Sequence, residues 1–262
     1  MFLFFTIQEL DKMNIQVIIH HSFLVASLLY LISLIMVAAK QKTCAACVFA
    51  AGMICHAGSL ALRYWTCFPL LPLYQGPFFL AFAVGLIGFR PVLSRSNLLS
   101  RIVLVNLLSW SAYLFPNDFY LPFLQFKTLF AHGFFLLGVV GKSLFLLAGA
   151  GAVMVLLDKG ETGQVKFVGQ AVLWGFFFWT LSVFSGAFWS WLGWGSPVVW
   201  DDPLMTTTMA TWLLYSLMLH LHLTRFSGAG PRAWFALLGA VWVFCFNCVP
   251  ELGPFRIPGW LS

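Results

Sequence analysis

Residues 132–157 read HGFFLLGVVGKSLFLLAGAGAVMVLL, and this stretch decides the fold class. Its 26 residues contain one charged side chain, Lys142, and a helix that crosses a bilayer needs about 20 apolar residues. Seven further apolar runs occupy the rest of the chain. We therefore predict eight transmembrane helices, at Ile15–Val37, Thr43–Leu62, Phe68–Phe89, Ile102–Phe115, His132–Leu157, Phe167–Leu192, Leu204–Leu223 and Ala233–Val249.

The composition of the chain excludes a water-soluble globule. Of the 262 residues, 61% are hydrophobic and only 8% are charged, against about 25% charged residues in soluble domains. The lysines and arginines are scattered singly, and the absence of a basic stripe argues against nucleic-acid binding. The chain is therefore predicted to be an all-α polytopic membrane protein, with a single transmembrane domain over residues 1–262 surrounded by the lipid bilayer.

The net charge of +6 is explained by topology. Cytoplasmic loops of membrane proteins carry an excess of lysine and arginine. Nine basic residues fall in one set of alternate loops, and four fall in the other set, which includes both termini. The first set is Lys40, Lys42, Arg90, Arg95, Arg101, Lys159, Lys166, Arg225 and Arg232, and the second is Lys12, Arg63, Lys127 and Arg256. This bias predicts that both termini lie on the non-cytoplasmic side.

The same orientation places a tryptophan-rich loop, residues 189–203, outside the membrane between helices six and seven. Four tryptophans fall within twelve residues of it, at positions 189, 191, 194 and 200. Indole rings suit either an aromatic belt at the membrane surface or a flat aromatic ligand. His132 begins helix five on the same side, where it is either an axial ligand of iron or a hydrogen-bonded histidine at a helix start.

Two ionisable side chains are predicted inside the membrane. Lys142 follows His132 by ten residues, which puts it about 15 Å deep, and it either serves a function or snorkels or loses its proton beside a carbonyl. His56 lies within helix two, and we predict that it forms a hydrogen bond between helices. His220 and His222 are two residues apart on helix seven, so at most one of them can bind a given metal.

Several local motifs occur together along the chain. They are Phe68-Pro-Leu with Leu73 and Tyr74, Leu124-Gln125 with Leu129 and His132, Ser185-Gly-Ala-Phe-Trp189 with Trp194-Gly195, Trp200-Asp201, and Thr211-Trp212 ahead of His220. This combination resembles the CcsA-type haem-handling proteins of cytochrome c biogenesis (system II). Members of that family carry a tryptophan-rich haem-binding segment, the WWD domain.

The resemblance implies haem binding and haem transport. His132 would be an external axial ligand of haem iron, and His220 would hold the iron within the membrane. The surface against which the porphyrin packs would be formed by Trp194, Gly195, Trp200 and Asp201. The resemblance further implies transiently bound haem b, a CcsB-type membrane partner, and apocytochrome c with CxxCH motifs as the protein to which haem is attached. The chain would then be a subunit of a cytochrome c haem lyase (synthase).

The sequence departs from the family pattern in the tryptophan-rich segment and after the last helix. Val198 stands where the central tryptophan is expected, and an extra residue makes Asp202 an alternative to Asp201. Residues 247–262 contain no histidine, although the family has its second external histidine there. A bound haem would be five-coordinate or take its sixth ligand from a partner, the substrate or water. Further candidates for haem contacts are Trp189, Asp202, Arg63 as a propionate contact, and Lys142.

Two other functions are consistent with these residues. Thr206-Thr-Thr208 followed by Trp212 resembles the CcmC-type haem exporters, which would deliver haem without ligase activity. A membrane transporter or scaffold that binds no haem is the second alternative, with the tryptophans as a belt. The resemblance favours the bacterial cytoplasmic (inner) membrane over the thylakoid membrane, with the tryptophan-rich loop facing the periplasm.

Overall fold

A computed structural model describes residues 2–67, 76–89, 95–114, 128–157, 162–198, 203–223 and 228–248. Within these ranges the chain forms eight α-helices and contains no strand. The helices are α1 (Phe2–Ala38), α2 (Lys42–Cys67), α3 (Gly76–Gly88), α4 (Arg95–Leu114), α5 (Leu129–Leu156), α6 (Thr162–Trp194), α7 (Pro203–Leu223) and α8 (Ala229–Val243). A short π-helical segment, Phe244–Cys248, continues α8.

Five of these helices are long and apolar enough to cross a membrane: α1, α2, α5, α6 and α8 with its π-helical extension. In α3 the apolar stretch is the shorter Phe78–Gly88, whereas α4 and α7 are long enough but less apolar. The predicted all-α polytopic class is confirmed. The sidedness of the termini stays a prediction from the charge bias.

Several predicted boundaries are shifted in the structure. Helix α6 continues through Trp194, so the first six residues of the predicted external loop are helical. Helix α4 begins at Arg95 rather than Ile102. The apolar pattern missed the start of α4 because the ends of a membrane helix lie among polar head groups and tolerate polar residues. In α6 the helix runs two residues beyond the predicted Leu192. The predicted start of the third span, residues 68–75, lies outside the described residues.

Arg101 was assigned to a basic loop, but it is a buried residue of α4. Its guanidinium donates a hydrogen bond to the carbonyl of Gly88, the last residue of α3, and lies 4.6 Å from the centre of the Phe167 ring. A cation at this position satisfies a carbonyl that the end of α3 leaves unpaired. Arg101 therefore ties α3, α4 and α6 together at the end of the bundle that carries Lys40, Lys42, Lys166 and Arg232, here called the basic end.

Helix α5 is the centre of the bundle. It packs against α3, α4, α6 and α8, and 61% of its most apolar window is buried, against 33% or less for the other four candidate spans. Its buried face is rich in small residues, among them Gly138, Gly141, Ser143 and Ala148. Small side chains let the backbones of membrane helices approach closely, which substitutes for the hydrophobic driving force that lipid does not supply.

The backbones of α5 and α6 pack closely against each other. A Cβ atom built on Gly141 would lie 3.0 Å from the amide nitrogen of Trp179 and 3.2 Å from the carbonyl oxygen of Gly175. Hydroxyl groups reinforce this contact: Ser182 donates to the carbonyl of Phe134 at 2.6 Å, and Ser185 donates to that of Phe130 at 2.8 Å. The two helices are therefore fixed in register over several turns.

This packing predicts that Gly141→Val destabilises the protein. The added side chain meets backbone atoms of α6 that cannot rotate away, and overpacking of this kind costs about 1–3 kcal/mol. The midpoint of thermal unfolding in detergent should fall. Gly58→Val is the matched control, because a Cβ at Gly58 meets nothing within 4 Å. Equal stability losses in the two variants would contradict the packing described here.

Candidate functional site

Aromatic side chains converge at the end of the bundle opposite the basic end. They form a cluster, here called the aromatic-end cluster, to which each of the helices α1 to α6 contributes. Its buried members are Phe23, Phe78, Phe79, Ala131, Phe135, Val139 and Trp189, with Leu60, Tyr64, Ala83, Ala112, Tyr113 and Phe134 packed against them. The candidate residues His132 and Trp189 both belong to this end of the molecule.

His132 lies in the first turn of α5, half-buried beside this cluster. The hydroxyl of Tyr64, near the end of α2, is hydrogen-bonded to its Nδ1 atom at 2.5 Å. A partner on one ring nitrogen fixes the orientation of an imidazole and selects its tautomer. When the imidazole N–H is the donor, Nε2 carries the lone pair, and this is the form that binds a metal.

Two of the predicted tryptophans extend the aromatic surface near His132. Trp189 is buried in the last turns of α6, and its ring centre lies 6.1 Å from that of Phe134, two residues after His132. Trp194 contacts Trp189 edge to face, with 5.7 Å between the ring centres, and is 46% exposed. Stacked and edge-to-face rings of this kind offer a broad apolar surface with one exposed side.

Helix α6 ends at Trp194, and the next residue, Gly195, takes a left-handed conformation with φ of +69°. The Gly195 amide donates to the carbonyl of Trp191 at 2.9 Å, as in a glycine C-cap. The segment then folds back, because Ser190 donates to the carbonyl of Ser196 and Ser196 donates to that of Val198. Gly195 thus reverses the chain directly after Trp194. Its predicted role in porphyrin contact stays a prediction.

His220 lies far from this site, near the other end of α7. It is exposed, and its Nδ1 is hydrogen-bonded to the carbonyl of Ser216 at 2.8 Å. Because a carbonyl only accepts, the imidazole donates through Nδ1 and Nε2 carries the lone pair. His132 and His220 therefore lie in different parts of the bundle, and their roles as haem ligands stay predictions.

Two further candidates lie at different depths. The Lys142 ammonium lies 5.9 Å from the centre of the Trp179 ring, ten residues along α5 from His132, so it contacts an aromatic face inside the bundle. Arg63 precedes Tyr64 on α2 and is 6% exposed. Because Arg63 is this deeply buried, a haem propionate could contact it only if the side chains around Arg63 moved. Trp200, Asp201 and Asp202 lie outside the described residues.

The predicted helix–helix hydrogen bond of His56 is confirmed. His56 of α2 is fully buried, and its Nδ1 lies 3.0 Å from the hydroxyl of Tyr30 on α1. The rings of Phe23, Phe78 and Phe82 pack around the imidazole. This interaction holds α1 and α2 together near the middle of their apolar spans, beside the aromatic-end cluster.

Sequence reasoning missed Tyr64 and the cavity beside it. A largely apolar groove of about 800 Å³ runs between α2, α3, α5 and α6. Its lining includes Tyr64 and Leu60 towards the aromatic end and Gln170 and Trp174 in the basic half of α6. Tyr64 and His132 are 68 residues apart, and no local pattern in the sequence links them.

The fold and the site together define an all-α polytopic membrane protein with a histidine-containing aromatic cluster at one end. The chain is similar to curated proteins named cytochrome c biogenesis protein CcsA. It is 39% identical over 101 residues to that of Adiantum capillus-veneris. It is also 38% identical over 81 residues to those of Thermosynechococcus vestitus and Chlamydomonas reinhardtii.

These matches cover part of each protein. They span 37%, 30% and 30% of this chain, and 31%, 25% and 22% of the three relatives, so less than a third of each relative is matched. The resemblance to the CcsA type that the motifs indicate is confirmed over that stretch. The chain matches no protein-family model.

The geometry at the end of α6 predicts that Gly195→Ala is destabilising. A residue with a Cβ atom pays about 1–2 kcal/mol in the left-handed conformation that Gly195 adopts. The expected result is a lower free energy of unfolding and faster proteolytic cleavage after Trp194. Gly193→Ala is the control, since Gly193 is helical and a Cβ there meets nothing within 4 Å. Matching losses in both variants would count against the turn.

Proposed function

We propose that this protein handles haem in cytochrome c biogenesis, binding haem at the aromatic end with His132 as an axial ligand of the iron. The proposed outcome is export of haem and its covalent attachment to apocytochrome c, together with a CcsB-type partner. The observation that carries the proposal is the hydrogen bond between Tyr64 and His132 Nδ1 beside the cluster that contains Trp189. The names of the relatives support the role in cytochrome c biogenesis.

The chemistry of the site suits iron ligation. Histidines that bind metals almost always donate their second ring N–H to an oxygen, which fixes the ring and raises the basicity of the ligating nitrogen. Tyr64 provides such an oxygen. In this arrangement His132 binds the haem iron through Nε2, and Tyr64 orients the imidazole.

The aromatic surface suits the porphyrin. Haem is an amphiphile, with an apolar ring and charged propionates, and it favours the boundary between lipid and water. Trp194, half-exposed against the buried Trp189, gives the ring dispersion contacts without enclosing the propionates. Trp200, Asp201 and Asp202 are proposed to complete this surface.

Covalent attachment of haem to apocytochrome c then depends mainly on how the haem vinyl groups are positioned relative to the cysteine thiols. Each cysteine thiol of a CxxCH motif adds its sulfur and hydrogen across a haem vinyl group, so a C–S bond forms and no group leaves. A fixed haem raises the effective concentration of the vinyl groups, which contributes several kcal/mol to such a step. We propose that the sixth iron ligand comes from the substrate or the partner.

His220 is proposed as a second, earlier ligand. It lies near the end of α7 that is opposite to the aromatic end, and its tautomer leaves Nε2 with the lone pair. Haem held there first and at His132 later would cross the membrane between two histidines. Following the charge bias, we place the aromatic end on the non-cytoplasmic side of the membrane. The resemblance favours the bacterial inner membrane, in which this side faces the periplasm.

The proposal predicts that the purified protein binds haem with a Soret absorption band that depends on His132. In His132→Gly the haem occupancy should fall by about tenfold or more, since changes even in the partners of metal ligands cost that much affinity. Added imidazole should restore part of the band, because it fills the space left by the side chain. The measurement is absorption of detergent-purified protein, with haem quantified by pyridine haemochrome.

His21→Gly is the matched control for this experiment. His21 is an exposed histidine of α1 whose Nδ1 is hydrogen-bonded within its own helix to the carbonyl of Val17. Its loss should leave the Soret band unchanged. A wild-type protein that stays colourless after haem loading, or equal losses in the two variants, would overturn the proposal.

A second prediction concerns Tyr64 as a positioning residue. Tyr64→Phe removes the hydrogen-bond partner of His132 Nδ1, so haem affinity should fall about 10–100-fold. A less basic axial ligand stabilises ferric iron less, and the reduction potential of the remaining haem should therefore rise. Tyr113→Phe, in the same cluster, is the control. An unchanged potential in Tyr64→Phe, combined with a loss of thermal stability, would assign Tyr64 a purely structural role.

A further inference from the structure

A second cavity, of about 490 Å³, lies between α5, α6 and α8 at the basic end. Lys166 of α6 and Arg232 of α8 line it, so two cationic side chains from separate helices border one space. The remaining lining is mostly apolar and includes Val155, Leu173 and Ala233. Cations combined with apolar walls match a ligand that is itself amphiphilic and carries negative charge.

The depth of the cations matches the level of lipid head groups. Lys166 is four residues into α6 and Arg232 three residues into α8, which corresponds to about 6 Å and 5 Å along the helices. The polar zone on each side of a bilayer is roughly 5–7 Å thick outside a hydrocarbon core of about 30 Å. Both cations therefore lie in the first turns of their helices, and the ends of membrane helices lie among the head groups.

The cavity adjoins the larger groove at Gln170. Gln170 lines both this cavity and the larger groove of about 800 Å³, whose lining beyond it includes Trp174 and Phe178. From Lys166 to Phe178 the helix rises about 18 Å, close to the roughly 15 Å that one leaflet of hydrocarbon occupies. The cationic pocket and an apolar groove about one leaflet long thus share Gln170 as a lining residue.

We propose that this composite site binds an anionic phospholipid, with the phosphate between Lys166 and Arg232 and an acyl chain in the groove past Gln170 and Trp174. Basic pockets between transmembrane helices bind anionic lipid head groups in this way. A soluble anion has no apolar part that could bind in the groove. Haem also carries carboxylates, but the head-group depth of the cations and the leaflet-long groove are properties that fit a phospholipid.

The site is independent of the haem function proposed above, and the two can fail separately. The test is native mass spectrometry of the detergent-purified chain with equal amounts of palmitoyl-oleoyl phosphatidylglycerol and phosphatidylcholine. The wild type should retain phosphatidylglycerol preferentially. Lys166→Gln combined with Arg232→Gln should reduce that preference about 30-fold, since each cation near an anionic lipid contributes roughly fivefold.

Two controls sharpen the test. Lys40→Gln combined with Lys42→Gln removes two basic-end cations that do not line the cavity, and the preference should persist. Gly169→Leu fills the cavity without changing charge, since a Cβ at Gly169 meets nothing within 4 Å, and it should lower phosphatidylglycerol retention. The proposal is overturned by an unchanged preference in the Lys166/Arg232 variant, or by an equal loss in the Lys40/Lys42 variant. The proposal is also overturned if Gly169→Leu leaves phosphatidylglycerol retention unchanged. It is overturned as well if the Lys166/Arg232 variant loses haem but keeps its preference for phosphatidylglycerol.

Discussion

The close contact between α5 and α6 is the interaction on which the rest of the structure depends. In lipid there is no hydrophobic driving force for the association of two apolar helices, so their association depends on packing and on hydrogen bonds. Gly141 and Gly175 bring the two backbones together, and Ser182 and Ser185 bond across the interface. This contact fixes the first turn of α5 against the last turns of α6. His132 and Trp189 consequently lie at the same end of the bundle, although 57 positions separate them in the sequence.

Features that depend on composition or on one helix could be predicted from the sequence. Membrane location, the eight helices and the hydrogen-bonded His56 follow from apolar runs and from the cost of a polar group in hydrocarbon. Helix ends could not be placed from those rules, because the hydrophobic pattern fades at the head groups. The pattern places Arg101 in a loop for that reason, but Arg101 is helical. Trp194 is helical as well, two residues beyond the predicted end of helix six. The Tyr64–His132 bond depends on how α2 packs near α5, and no sequence spacing encodes that distance.

The two ends of the bundle differ in a way that suits amphiphilic molecules. The aromatic end provides rings and an imidazole, whereas the basic end provides cations on α6 and α8. The apolar groove between α2, α3, α5 and α6 extends between these regions. An amphiphile needs apolar contact for its body and a polar partner for its head, and each end supplies both. Only 8% of the residues are charged. The polar side chains proposed to bind ligands, His132 on one side and Lys166 and Arg232 on the other, lie at the two ends of the bundle.

Tyr64 is the residue at which the groove and the candidate ligand meet. It lines the groove and is hydrogen-bonded to His132 Nδ1. Because the partner of one imidazole nitrogen determines the state of the other, a displacement of Tyr64 changes the nitrogen that faces away from it. The packing of the groove around Tyr64 is therefore linked to His132 through one hydrogen bond. The groove is lined mostly by apolar side chains. The Tyr64 hydroxyl connects it to the aromatic end through the hydrogen bond to His132.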